Sequence, residues 1–298
     1  MIKYLLTYIV IASTLIYAKV NESFTLNHSD NSSFSIQFDI ENIELEEKGE
    51  YTRINTNTKG ETSIIGMPKL PQFSTLLKLD PQKEYDITYQ VLSSHRISDV
   101  DIIPNQRIVN GLESENIDDI DMSFYSSTQV YPDNNIILSE PMVMRDIVLS
   151  SINVVPFKYY PQSRELEVYD SIQMQITQTG QTEDIRRRQM PRSRVFENIY
   201  KNTIINYESD SRDEYQQSAI LYICPSSLIS NATFLDLVDW RRERGYVVYT
   251  ATTSQTGSSA SSIKNYIEDA YDDFDPPPEY VSFLGDVGGS YSIPTFYD

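Results

Sequence analysis

The sequence predicts a multidomain chain: an antiparallel β-sandwich over residues 19–178, a junction over 179–217, and a partial α/β unit of order βαβαβ on a parallel sheet over 218–298. Three observations carry this. After Lys19 the chain runs as short, alternating apolar stretches broken by Pro and Asn turns, with almost no helical period. From Ala219 onward, uncharged β-prone runs alternate with helical patterns of crossover length. Between the two, the composition turns basic and polar.

In the first part, Phe34-Ser-Ile-Gln-Phe-Asp-Ile40 alternates strictly, as a strand with one wet face must. Ile64-Ile-Gly-Met-Pro-Lys-Leu-Pro71 reads as a bend, because two prolines remove ladder donors and Gly66 permits a sharp turn. Tyr85 to Val91 alternates again, and Asp99-Val-Asp-Ile-Ile-Pro104 is expected to behave likewise. Glu113 to Asp121 is acidic and poor in structure formers, so it reads as a mobile loop. Further strands are expected at Asn135 to Leu138, Met142 to Leu149, Ile152 to Tyr159 and Leu166 to Ile176.

The junction holds Arg186-Arg-Arg188, Arg192 and Arg194, then an apolar set at Phe196, Ile199, Tyr200 and Ile204 whose spacing predicts a short docked helix. Its polar ends are expected to be exposed, the setting in which proteolysis occurs. In the last part, Ala219 to Pro225 predicts a strand buried on both faces. A helix capped by Ser230 or Asn231 and stopped at Gly245 follows, and Tyr246 to Thr253 is the second strand. Ser258 and Ser259 open a second helix, with Ala260, Ile263, Tyr266, Ile267, Ala270, Tyr271 and Phe274 on one face. Pro276-Pro277-Pro278 ends it, and Tyr280 to Asp286 is the third strand. Such sheets place chemistry beyond the carboxyl ends of their strands, here Cys224-Pro225, Thr252-Thr253 and Gly285-Asp286.

Lys3, the apolar run Tyr4 to Ile16 and the small Ala18 read as a signal peptide over residues 1–18. The run reaches only about 21 Å as a helix, short of the roughly 30 Å of a bilayer core. A secreted or cell-surface location follows, with no membrane anchor. The 43 acidic and 24 basic residues give a formal charge of -19, which disfavours nucleic acid or anionic membrane as partner. A single cysteine excludes an internal disulfide, and with two histidines it excludes a Cys/His metal centre.

The order of the pieces resembles the precursor of a gingipain-type cysteine peptidase. The strings that carry the likeness are Gly66 to Pro71; Tyr131-Pro132, Arg145, Val155-Pro156, Tyr160-Pro161 and Leu166-Glu-Val-Tyr169; Phe196-Glu-Asn-Ile-Tyr200 with Asn206-Tyr207; Leu237-Val-Asp-Trp240 with Arg244-Gly245; and Tyr280 to Asp286 with Ile293-Pro294. The loop between Asp286 and Ile293 looks longer than is usual in the family, which leaves the shape of the nearby pocket wall open. The resemblance implies a β-rich propeptide that contacts the catalytic domain within one molecule, assists folding and masks the active site. It also implies protein or peptide substrates and caspase-like chemistry, in which a Cys thiolate attacks the peptide carbonyl and a nearby His assists. Both would sit past later strands of the sheet, beyond residue 298, so no catalytic residue is expected in this chain and it should be inactive alone.

Cys224 stands where a nucleophile could lie, but both histidines, His28 and His95, precede the junction, and a core role is expected. Gly285 and Asp286 are the candidates at the active-site crest; the carboxylate of Asp286 can orient a donor, accept a cation or cap its own loop. Asp118, Asp119 and Asp121 lack the turn glycine of a calcium loop and read as solvated. No metal site is assigned and no cofactor is required, with calcium left open. Arg212, Arg194 and Arg188 are the processing candidates, Arg212 lying where the resemblance implies propeptide removal. The competing reading is a non-catalytic secreted β-sandwich binding or cell-surface module with a vestigial α/β cap.

Overall fold

The computed structural model describes residues 23–29, 32–109, 112–113, 116–186, 188–209 and 214–296. The signal-peptide segment 1–18 and Arg212 lie outside them. The chain forms two compact units, one of residues 1–187 and 201–207, the other of 188–200 and 208–298.

The first unit begins with β1 (Phe24–Ser29), β2 (Ser33–Asp39), and a hairpin of β3 (Glu44–Lys48) and β4 (Tyr51–Asn55). β5 (Phe73–Leu79), β6 (Lys83–Ser98) and the short pair β7 (Ile108–Val109) and β8 (Leu112–Glu113) follow. After a one-turn helix α1 (Met122–Tyr125) come β9 (Ile136–Leu138), β10 (Met142–Met144), β11 (Ile147–Val154), β12 (Phe157–Tyr160) and β13 (Glu165–Gln181). One antiparallel sheet runs β1-β2-β13-β12, with β6 on the other edge of β13; a second runs β10-β11-β5, with β9 beside β11. Phe34, Ile36 and Phe38 of β2 and Ile172, Met174 and Ile176 of β13 share a buried cluster with Phe73, Leu77, Ile152 and Val154 of the second sheet. This makes the unit a sandwich. Each such side chain stabilises the fold by about 1.5–3 kcal/mol through burial, and the strict alternation of β2 is what aims its three aromatic and aliphatic residues inward.

Four expectations are corrected. Asp99 to Pro104 is not a strand: Asp99 takes φ +62°, and only Ile102 and Pro104 make isolated bridges, to Thr52 and Pro68. Its alternation reflects burial in a second cluster, where Val100 and Ile102 meet Phe124, Tyr159 and Leu166. The run Met142 to Leu149 is split by Arg145 at φ +60° into a tight hairpin, and Pro156 splits the next run between β11 and β12. Residues 118–121 are tied down: the Gln106 side chain accepts from the Asp118 and Asp119 amides at 2.9 and 3.0 Å, and Asp121 caps α1. His95 lies inside the 16-residue β6, opposite Val168.

Helix α2 (Arg194–Thr203) occupies the junction, and its residues are divided between the units. Beyond it, residues 204–206 belong to the first unit. Ile204 bridges Leu76 in parallel, the Ile205 amide donates to the Leu76 carbonyl, and the Asn206 side chain completes the edge by accepting from the Lys78 amide at 2.7 Å and donating to its carbonyl at 2.8 Å.

The second unit contains β14 (Ala219–Cys224), α3 (Ala232–Glu243), β15 (Val247–Thr252), a short α4 (Thr253–Thr256) that the sequence did not announce, α5 (Ala260–Asp273) and β16 (Tyr280–Phe283). The sheet is parallel in the order β15-β14-β16, and every residue of the central β14 is buried. Its alternate residues serve opposite layers: Ile220, Tyr222 and Cys224 pack with Phe234 and Val238 of α3, whereas Leu221 and Ile223 pack with Ile263 and Ala270 of α5. Asn231 caps α3, accepting from the Phe234 amide at 3.2 Å, and Gly245 at φ +86° follows its end. A reciprocal Ser259 and Ser262 capping box opens α5. The third strand stops at Phe283, not Asp286, because the chain folds back on itself there.

Candidate functional site

The carboxyl ends of the three parallel strands form the crest at which the sequence places the site. At the end of β14 the Ser226 hydroxyl lies 2.7 Å from that of Ser254, just past β15. Thr252, the last residue of β15, is held by Gln255, whose side-chain carbonyl accepts from the Thr252 amide at 2.8 Å. Beyond β16, the Asp286 amide donates to the Tyr291 carbonyl at 3.0 Å and the Ile293 amide returns to the Asp286 carbonyl at 2.8 Å, closing a tight loop over the 3-10 turn Gly289–Tyr291. Gly285 is required by this fold-back: a Cβ there would lie 2.6 Å from the Tyr291 carbonyl oxygen and 2.8 Å from the Ile293 side chain. The exposed Asp286 carboxylate accepts from the Val287 amide at 2.7 Å, the loop-capping alternative the sequence left open.

Cys224 is fully buried, and burial pushes its thiol above the ordinary value. A thiol held neutral in an apolar layer is a poor nucleophile. His95 pairs with Asp170 through Nδ1 at 2.8 Å on the surface of the first unit, and His28 lies in β1. Among the described residues no group of three or more His, Cys, Asp or Glu is placed to hold a metal ion, and no helix is long and apolar enough to cross a membrane.

The structure separates the basic junction residues by environment. Arg188 is exposed on irregular backbone, its guanidinium donating to the Tyr271 carbonyl at 2.7 Å. Arg194 is exposed but sits in the first turn of α2 and stacks on the Tyr215 ring at 5.1 Å. The expected docked helix is present, with Glu197 and Tyr200 buried, but the expectation that the polar end before it is exposed is corrected: Met190 and Ser193 are buried, and the Arg192 side chain is only 9% exposed. Sequence reasoning also missed the pairing of Arg192 with Glu197 and Tyr215, for which the only signal was a charge pair five residues apart within an amphipathic helix start. An open cleft of about 720 Å³ lined by Pro191, Arg192, Tyr215, Gln216, Asp275 and Pro276 lies here, beside the residues that precede β14 and β16 and so at the end of the sheet opposite the crest.

Comparison with known proteins matches residues 18–215 to the family Propeptide_C25 and residues 213–297 to Peptidase family C25. Gingipain R2 of Porphyromonas gingivalis is 25% identical over 283 residues, covering 89% of this chain and 38% of the relative; Lys-gingipain of the same organism is 21% identical over 291 residues, covering 88% and 16%. The chain thus spans well under half the length of these curated relatives. Among solved structures, the complex of Porphyromonas gingivalis RgpB pro- and mature domains matches with a TM-score of 0.54 at 24% identity, covering 63% of this chain and 100% of that one. With the propeptide profile alone taking in about two thirds of its residues, the chain belongs to the C25, gingipain-type peptidase precursor family.

Proposed function

We propose that the chain is the amino-terminal part of a secreted gingipain-like cysteine endopeptidase zymogen. In this reading residues 1–18 export it to the medium or cell surface, 19–178 form the propeptide that assists folding and masks the active site, 179–217 form the junction, and 218–298 open the catalytic subdomain. Gly285 and Asp286 contribute to the wall of the substrate site at the crest. The thiolate and imidazole come from residues after Asp298, since neither Cys224 nor the histidines have the setting the chemistry needs. Protein or peptide chains are the substrates. The observation that carries the reading is the handover between the two family matches at residues 213–215, between the sandwich and the first strand of a doubly wound sheet.

The same handover supports Arg212 as the processing site over Arg194, whose helical backbone fits a protease cleft poorly, and over Arg188, whose guanidinium is engaged. The test is amino-terminal sequencing of the protein secreted from the full reading frame. Mature material beginning at Asp213, and its loss in Arg212→Ala, is the expected result. A mature terminus far from this point, or a downstream coding sequence without a His and a Cys, overturns the proposal.

A further inference from the structure

Residues 188–200 precede the proposed cut, yet they belong to the same compact unit as the parallel sheet. Their attachment is specific. The Arg192 guanidinium donates to the Tyr215 hydroxyl at 2.7 Å, lies 4.3 Å from the Tyr215 ring centroid and faces the Glu197 carboxylate at 3.5 Å. Both members of that ion pair are more than nine-tenths buried, with 9% and 8% of their side chains exposed. The backbone joins in: the Gln216 amide donates to the Arg192 carbonyl at 2.8 Å, and the Gln216 side chain reaches the Pro277 carbonyl at 3.1 Å. Arg188 adds its bond to the Tyr271 carbonyl, and Met190 is 1% exposed. None of these contacts uses residues 209–213.

We propose that residues 188–200 are a docking segment, and that Arg192 is the anchor by which the severed amino-terminal fragment stays on the fragment carrying the parallel sheet. The inference rests on the reading that the chain is cut between Tyr207 and Glu214. Cutting there removes the covalent tether, and the contacts named above lie on either side of the cut. The planar guanidinium is suited to this task because it stacks on Tyr215 and pairs with a carboxylate at once, which an ammonium cannot do. Removing Arg192 takes a guanidinium at 3.5 Å away from the buried Glu197 carboxylate, a change that weakens association far more than the loss of a surface pair. Gln216 and Tyr215, close to the amino terminus created by the cut, are the receiving surface. Release of the propeptide then requires a second event at 188–200, not the first cut alone.

The experiment replaces residues 209–213 of the full chain with the recognition sequence of a site-specific protease, so that docking is tested whether or not nature cuts at Arg212. After complete cleavage, the two wild-type fragments are expected to co-elute in size exclusion over a dilution series. With Arg192→Ala the fragments should part at a concentration roughly a hundredfold higher or more. Arg192→Lys, which keeps the charge beside Glu197, guards against a folding defect and should show a loss of about tenfold; Tyr215→Phe should lose the hydroxyl bond alone and weaken less. Circular dichroism of the uncut variants verifies that they are folded. Separation of the wild-type fragments on cutting, or an unchanged dissociation midpoint in both Arg192 variants, overturns the proposal.

Discussion

Replacing Gly285 by Ala tests whether the crest loop is built as tightly as its geometry implies. The new methyl would lie 2.6 Å from a backbone oxygen, that of Tyr291, and 2.8 Å from two carbons of Ile293. A carbonyl cannot rotate away as a flexible side chain can. The loop must therefore shift, loosening the Asp286 to Tyr291 and Ile293 to Asp286 hydrogen bonds. Overpacking of this kind costs about 1–3 kcal/mol, and in a unit of about a hundred residues each kcal/mol lowers the melting midpoint by about 4–8 °C. A drop of roughly 5–20 °C is expected for the second unit. The assay is thermal unfolding followed by tryptophan fluorescence, because Trp240 on α3 is the chain's one tryptophan and reports this unit alone. Gly288→Ala is the control: nothing lies within 4 Å of a methyl there and its φ of -147° suits any residue. An unchanged midpoint in Gly285→Ala, or an equal drop in Gly288→Ala, would show that the contact geometry does not govern the loop.

Three further outcomes are expected. Asn231→Ala should lower the stability of the second unit by about 1 kcal/mol through loss of the α3 cap, read as a smaller denaturant midpoint at unchanged slope. Cys224 should resist alkylation in the native protein and react only after denaturation; since burial raises the folded thiol above its reference value of 9.0, its contribution to stability is fully present below that pH and lost as the pH climbs past it. In the first unit, burial drives Tyr125 and Tyr159 far above the ordinary 10.0 and holds Tyr169 up at about 12, so these rings stabilise the fold below about pH 10 and that stabilisation disappears at higher pH. Tyrosinate absorbance should therefore show a late class that rises together with unfolding, and Tyr159→Phe should shrink that class.

Short-range patterns carried most of the fold. The alternation of β2, the wholly apolar β14 and the Ser259 capping box are local chemistry, legible wherever they occur. The misreadings arose where tertiary contacts overrode local pattern. Val100 and Ile102 alternate because a neighbouring cluster takes them in, not because they pair in a ladder. The basic junction looked exposed because charge implies water, yet Arg192 exchanges water for a tyrosine ring and a carboxylate. At the crest, the sequence identified Gly285 as special without showing what it must avoid, since Tyr291 approaches it only through the fold-back. The hydroxyl pair of Ser226 and Ser254 joins residues 28 positions apart, a meeting that no window of local sequence contains.

The strap at Ile204 to Asn206 has a practical corollary for anyone expressing the sandwich by itself. It supplies the outer neighbour of β5, with a side-chain amide imitating one rung of a ladder. A gene clipped after residue 187 would leave β5 with bare amides and carbonyls, the situation in which strands recruit strangers and precipitate. Carrying the clip to residue 207 restores that selvedge, and the yield of soluble sandwich should turn on those few codons.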